Sequence, residues 1–288
     1  MRFFYLLLLL LGTPPAWAAD VVMLTPPEGP NDVRRAYSTG LLRLALDKTR
    51  AEYGDYRIEY TPEIMNSARA RVEVERNRYP NLLILMSFQN EYIEGQLDYV
   101  RFPIDLGLTG YRICFVSPQA KRALAAVKTL DELRAFSIGQ AVGWPDIDIL
   151  RLNGFNVVHV PRYESLFPMV SVGRFDLFCR GINELQIELK SNGHLKGLDY
   201  DRHIALAYPL LRFYFSHKSN KRLLERVGKG LQIAHRDGSL KAYWLQHNAA
   251  ALRFAQLEKR KIFHLTAPNI ERVDFDYRQY FFDPLKGR

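Results

Sequence analysis

The stretch FSIGQAVGWPDIDILRLNGFNVVHVPRYESLFPMVSVGRFDLFC, residues 136–179, decides the fold. Short apolar runs alternate in it with amphipathic segments. A strand at 136–139 enters a glycine-containing turn, a helix at about 146–153 is stopped by Gly154, and a strand follows at 156–160. A helix around 166–172 is then stopped by Gly173, before a strand at 175–179. Glycine just past the last periodic residue ends a helix because it takes positive φ without a Cβ clash. Strands alternating with helices in this way predict a doubly wound α/β half with a largely parallel sheet.

The same grammar extends in both directions. Upstream, 21–24 reads as a first strand, 26–30 as a Pro/Gly-rich loop, and Asn31 or Asp32 as the cap of a helix with Tyr37, Leu41, Leu44 and Ala45 on its apolar face. A strand at 56–60, a polar-faced helix at 66–77 and a buried strand at 81–86 complete a βαβαβ unit. A second unit opens with the apolar strand 111–116 and a capped helical turn at Thr129-Leu130-Asp131-Glu132-Leu133. Downstream, 208–216 is strand-like, 220–235 and 240–257 are helical, and Asp237-Gly238-Ser239 is the turn between them. The expected fold class is therefore α/β, with two doubly wound lobes.

The chain starts as an exported protein would. Arg2 supplies a positive end, 3–11 an apolar run too short to span a bilayer, and Ala16-Trp17-Ala18 a small-x-small cleavage site, so 1–18 is expected to be a signal peptide. Removing Arg2 with it takes the formal net charge from +9 to +8, but the basic residues are interleaved with acids and form no nucleic-acid signature. Cys114 and Cys179 are the two cysteines; an oxidising compartment permits a bond, and their spacing leaves its geometry open. There is no G-x-S-x-G elbow, P-loop or H-E-x-x-H, the seven histidines are isolated, and Asp146 and Asp148 point to different faces of one helix. No catalytic residue, metal ligand or cofactor is expected, and the chain reads as a non-enzyme.

The order of these pieces resembles the type II periplasmic binding proteins, specifically the extracellular solute-binding family 3 group that serves polar amino acid transport. Thr129–Leu133 followed by Ser137-Ile138-Gly139-Gln140-Ala141-Val142-Gly143 is similar to that group's entry to its second lobe. Glu164-Ser165-Leu166-Phe167-Pro168-Met169 with Gly173-Arg174-Phe175-Asp176-Leu177 resembles the next helix and strand. Ala207-Tyr208-Pro209-Leu210 with Arg212-Phe213-Tyr214-Phe215-Ser216 resembles the strand returning to the first lobe, and Gly230-Leu231 through Asp237-Gly238-Ser239 the closing helix pair. The likeness spans about 21–247.

The resemblance implies a clamshell whose chain crosses between lobes twice, near 106–110 and 208–212. Lobe one would comprise 19–107 and 211–270, lobe two 108–210, and 271–288 would be a C-terminal extension. It further implies a periplasmic monomer that closes by a hinge on a small polar ligand, with an ABC permease or a membrane sensor kinase or cyclase as partner. The alternatives are a ligand-free interaction module or a dehydratase or lyase on the same fold.

Ligand should sit where the carboxyl ends of the strands meet. In lobe two the candidates are Gly143, Trp144 and Asp146, on a loop before a helix whose free N–H groups would favour an anion, and Arg180, Asn183 and Glu184 beyond the strand at 175–179. Gly139 and Gly143 can equally be turn residues, Asp146 a helix cap, and Trp144 a packing residue between lobes. Arg180 carries the donor fork that suits a carboxylate, or else pairs with Glu184 or Asp176. In lobe one the candidates are Ser87 and Phe88, with Arg69 as either ligand or surface residue. Amino-acid binders of the group place an arginine for the α-carboxylate near Gln96 and an acid for the α-ammonium near Arg180-Gly181. Both charges are missing or reversed here, which favours a carboxylate or other anion at Arg180 as ligand.

Overall fold

The computed structural model describes residues 19–27, 29 and 35–286. The expected signal peptide and the expected cap at Asn31 or Asp32 lie outside the described residues.

The first lobe is built from β1 (Asp20–Leu24), α1 (Ala36–Lys48), α2 (Arg50–Tyr53), β2 (Tyr56–Tyr60), α3 (Ser67–Glu75), β3 (Ile84–Ser87) and β4 (Leu97–Tyr99). The second contains β5 (Tyr111–Val116), α4 (Lys121–Leu124), α5 (Leu130–Arg134), β6 (Ser137–Ala141), α6 (Asp146–Leu152), β7 (Asn156–Val160), α7 (Leu166–Ser171), β8 (Leu177–Gly181), α8 (Ile182–Ser191), β9 (Asp199–Tyr200) and β10 (Ile204–Ala207). β11 (Arg212–His217), α9 (Lys221–Arg236), α10 (Ser239–Ala255) and β12 (Lys261–His264) follow.

In lobe one β1 pairs parallel with β2 and, through Met23 and Leu82, with the chain entering β3; β11 lies antiparallel between β3 and β4. In lobe two the strand order is β12-β10-β5-β8-β6-β7, with β9 against β5. β6 runs parallel to both β7 and β8, and β5 antiparallel to β8. Local signals set the helix starts. Thr129 and Glu132 form a reciprocal capping box on α5, and the Asn66 side chain accepts the Arg69 N–H at the start of α3.

The two crossings run side by side. Ile104 N–H donates to the Arg212 carbonyl, and Tyr208 N–H to that of Gly110. A Cβ at Gly110 would lie 2.5 Å from the Tyr208 carbonyl oxygen, so only glycine lets the crossings approach this closely. One apolar cluster joins α1, α9 and α10 to Phe115, Phe167 and Phe178 of lobe two, while separate clusters fill lobe one around Phe88, Phe213 and Phe215 and lobe two around Ile138, Leu177 and Leu206.

Three expectations are corrected. The strand expected at 175–179 lies at Leu177–Gly181, so Arg180 is within it and not past its end. The strand expected at 208–216 starts only at Arg212, and a separate strand, β10, precedes it at Ile204–Ala207. β12, expected in lobe one, pairs parallel with β10 at the edge of the lobe-two sheet. Cys114 and Cys179 sit opposite each other on β5 and β8 and are joined by a disulfide, the register providing the geometry that spacing could not. Among the described residues no helix is long and apolar enough to cross a membrane.

Candidate ligand cleft

Both sheets aim strand ends at one cleft of about 430 Å³. Lobe one contributes Ser67, Ala68 and Arg71 at the start of α3, Ser87 at the end of β3, and Gln89, Glu91 and Tyr92 just beyond it. Lobe two contributes Thr109, Arg112, the loop from Val142 into α6, Arg180 and Glu184, with Arg212 at the second crossing. The lobes touch at the mouth. A Cβ on Gly143, whose φ is +85°, would lie 3.2 Å from the Ala68 Cβ, so this turn requires glycine for its backbone and is pressed on α3 as well.

The floor is a network of guanidiniums and carboxylates that is almost closed on itself. Arg180 donates from Nε to both oxygens of Glu188, at 3.0 and 2.8 Å, and its Nη2 lies 3.0 Å from Glu184 Oε2. Arg112 donates from Nη2 to Asp146 Oδ1 at 2.5 Å and from Nε to the Tyr208 hydroxyl at 3.2 Å. Tyr208 in turn donates to the same Asp146 oxygen at 2.6 Å. Arg212 Nη1 stands 3.4 Å from Asp105 and 3.7 Å from Glu184, so Glu184 links a lobe-two helix to a lobe-one strand. Burial alone would raise the Glu184 carboxyl, but the Arg180, Arg212 and Arg112 guanidiniums together hold it down at about 2. Burial pushes the Tyr208 phenol far up, keeping it a proton donor.

One donor in this network lacks a hydrogen bond. Arg112 is 2% exposed and lines the cleft, yet its Nη1 has no hydrogen-bond partner among the described residues, Glu184 being 3.6 Å away. A buried donor of this kind is costly unless something accepts from it. No group of His, Cys, Asp and Glu able to hold a metal is found among the described residues.

The cleft brings together Ser87, Gly143, Trp144, Asp146, Arg180 and Glu184 of the residues expected from sequence. It does not include the other three. Phe88 is fully buried in the lobe-one core, because it begins the turn after β3 with its ring against Tyr99 and Phe213. Arg69 points away along α3 to pair with Glu73 at 2.6 Å. Asn183 lines a smaller side pocket of about 100 Å³ behind Glu184 and Arg212, where its Oδ1 has no partner among the described residues.

Two roles also change. Arg180 offers no free fork, because Glu188 and Glu184 already occupy it, and its guanidinium stacks 4.7 Å from the Trp144 ring. Of the loop N–H groups, those of Val142, Trp144 and Ile147 donate to carbonyls, and the Asp146 side chain pairs with Arg112 instead of capping α6. Arg112, Arg212 and Glu188 were missed. Their signal was present as single charges in apolar stretches, Arg112 in Tyr111–Val116 above all.

No protein-family model matches the chain, and no curated protein does so. Solved structures do resemble it. A Salmonella typhimurium periplasmic binding protein of high arginine specificity is 10% identical with a TM-score of 0.60, covering 80% of this chain and 99% of that one. An ancestral arginine-binding protein bound to arginine is 15% identical with a TM-score of 0.57, covering 79% and 97%. A histidine kinase sensor domain similar to periplasmic binding proteins is 16% identical with a TM-score of 0.58, covering 81% and 96%. At these identities the likeness establishes the architecture, and the chain has the two-lobed α/β fold of the type II periplasmic binding proteins.

Proposed function

We propose that this chain is an exported, non-enzymatic solute-binding protein that closes on a small polar ligand between its lobes. The observation that carries this reading is the cleft itself, walled by both lobes and lined by Arg112, whose buried Nη1 has no hydrogen-bond partner among the described residues. An acceptor oxygen on the ligand would satisfy that donor, with Ser87, Trp144 and Asp146 as further contacts. A ligand touching both lobes favours the closed form by exactly the contacts it makes only there, and a membrane permease or sensor can then read that form. Structural neighbours of both kinds, a protein of glutathione import through the cystine ABC importer of Streptococcus mutans and the kinase sensor domain, support a membrane partner without choosing one.

An anion is not the ligand class the floor favours. Arg112, Arg180 and Arg212 already face Asp105, Asp146, Glu184 and Glu188, so a net negative ligand would meet a floor with no surplus of positive charge. The test is a thermal-shift screen of the mature protein with neutral and zwitterionic amino acids, their amides, amines and dicarboxylates. A ligand at a hundred times its Kd adds about 2.7 kcal/mol of stability. A shift from one class that Trp144→Ala or Ser87→Ala weakens supports the reading. Flat responses across all classes, or a shift insensitive to both substitutions, refute it.

A further inference from the structure

We propose that residues 266–282 form a strap that limits how far the two lobes can part. This rests on the reading above that the lobes move to admit a solute, and it concerns the amplitude of that motion.

The strap is fastened first to lobe two. β12 pairs with β10 from Ile204↔Lys261 to Ala207↔His264, and Leu265 N–H donates to the Ala207 carbonyl at 2.9 Å. Thr266 is then held at both polar groups by one side chain at the end of α6: its N–H donates to Asn153 Oδ1 at 3.1 Å, and Asn153 Nδ2 donates to its carbonyl at 2.8 Å.

It is fastened to lobe one almost at once. Asn90 Nδ2 donates to the Pro268 carbonyl at 3.0 Å, Asn269 Nδ2 to the Phe88 carbonyl at 2.7 Å, and Arg272 N–H to Asn90 Oδ1 at 3.0 Å. Only three residue steps separate Thr266 from Asn269, and an extended chain covers about 3.3–3.6 Å per step, so the link reaches about 10–11 Å at most. A rotation that carries Asn153 away from Phe88 and Asn90 beyond that reach must break one set of bonds.

The remainder of the strap runs down lobe one to the first crossing. Asp274 accepts from the Tyr99 hydroxyl at 2.6 Å and from Arg101 Nη2 at 2.8 Å, and Tyr280 packs on Phe102 with ring centroids 4.4 Å apart. Phe281 lies over Gly107, Phe282 packs on Trp244, and Phe282 N–H donates to the Leu106 carbonyl at 2.9 Å. Leu106 and Gly107 have φ of +49° and +82°, so the strap is bonded to the unusual backbone of the crossing itself. Beyond the two crossings and the apolar cluster shared by the lobes, this short tie, fixed on both sides, opposes a hinge rotation.

The test measures the distance between nitroxide labels on exposed Lys218 of lobe one and Arg174 of lobe two by pulsed dipolar spectroscopy, without ligand. The full chain is compared with Asn90→Ala/Asn269→Ala, which removes all three bonds that fasten 268–272 to lobe one while keeping the residues that follow, and with Tyr280→Ala/Phe282→Ala, which loosens the lower half. The full chain should give one narrow distribution, and the Asn pair should add a longer-distance population. Equal distributions in the full chain and the Asn pair, narrow or wide, overturn the strap. Circular dichroism confirms that each variant is folded. Because no ligand is present, the outcome is independent of whether the thermal-shift screen finds a solute.

Discussion

Replacing Glu184 by Gln isolates the central charge of the cleft floor. The substitution keeps the size of the side chain and an oxygen able to accept the Gly181 N–H, which Glu184 now does at 3.2 Å, but removes the charge facing Arg180, Arg212 and Arg112. Each guanidinium keeps one other carboxylate, so none is left wholly uncompensated and the loss stays below that of a fully broken buried pair. The carboxyl is held at about 2 against its ordinary 4.5. At roughly 1.4 kcal/mol per unit, this corresponds to about 3 kcal/mol of stability at neutral pH. The folded value is the lower one, so this contribution is complete above about pH 4.5 and disappears as pH falls through about 2. Urea unfolding followed between pH 2 and 7 should show the wild type and Glu184→Gln separated by about 3 kcal/mol at pH 7 and converging toward pH 2. A gap that is absent at pH 7, or that persists unchanged at the acid end, refutes the assignment of Glu184 as the shared counter-ion.

Other perturbations test neighbouring parts of the structure. Replacing Cys114 and Cys179 together by Ala releases a cross-link between residues 65 apart, for which loop-closure entropy predicts a loss of about 4 kcal/mol in denaturant unfolding; an unchanged midpoint would show that the bond does not constrain the unfolded chain. Gln140 is fully buried on β6 and neither its amide nitrogen nor its oxygen has a partner among the described residues, so Gln140→Met should stabilise by about 1–3 kcal/mol, and a loss of stability would mean the amide is satisfied by a bound molecule. Gly143→Val places a branched side chain against Ala68 at a φ of +85°, and should lower stability by about 1–3 kcal/mol while abolishing any ligand-induced thermal shift; a retained shift would remove the mouth contact from the closing motion.

The architecture was legible because buried strands read as continuous apolar runs bounded by glycine. β5 and β7 fall on the expected residues, and α6 and α7 end within a residue of theirs, before Gly154 and Gly173. The misplacement of β8 has the same origin. Arg180 interrupts the apolar pattern, and a charge is ordinarily a strand's end, but here Glu188 lies two helical turns on and folds back to neutralise it inside the sheet. β12 has four residues at a sheet edge, with too few positions to show a period, and β10 is half alanine. Neither carries enough apolar alternation to register, although both are held firmly by their neighbours.

The site was less legible for a related reason: its charges are arranged for one another. A sequence shows that Arg180 can bind a carboxylate, but not that the chain supplies two of them. Asp176, the other partner open from sequence, instead accepts the Ser137 N–H and hydroxyl at the start of β6. Once the internal pairs are recognised, what distinguishes a ligand contact from a structural one is unmet bonding capacity. By that criterion the residue on the floor to test is Arg112, a single guanidinium in an apolar strand, whose Nη2 and Nε are engaged and whose buried Nη1 has no hydrogen-bond acceptor among the described residues. On the proposed reading, the polarity of a ligand would follow from what that donor needs, an oxygen, and not from the number of arginines lining the cleft.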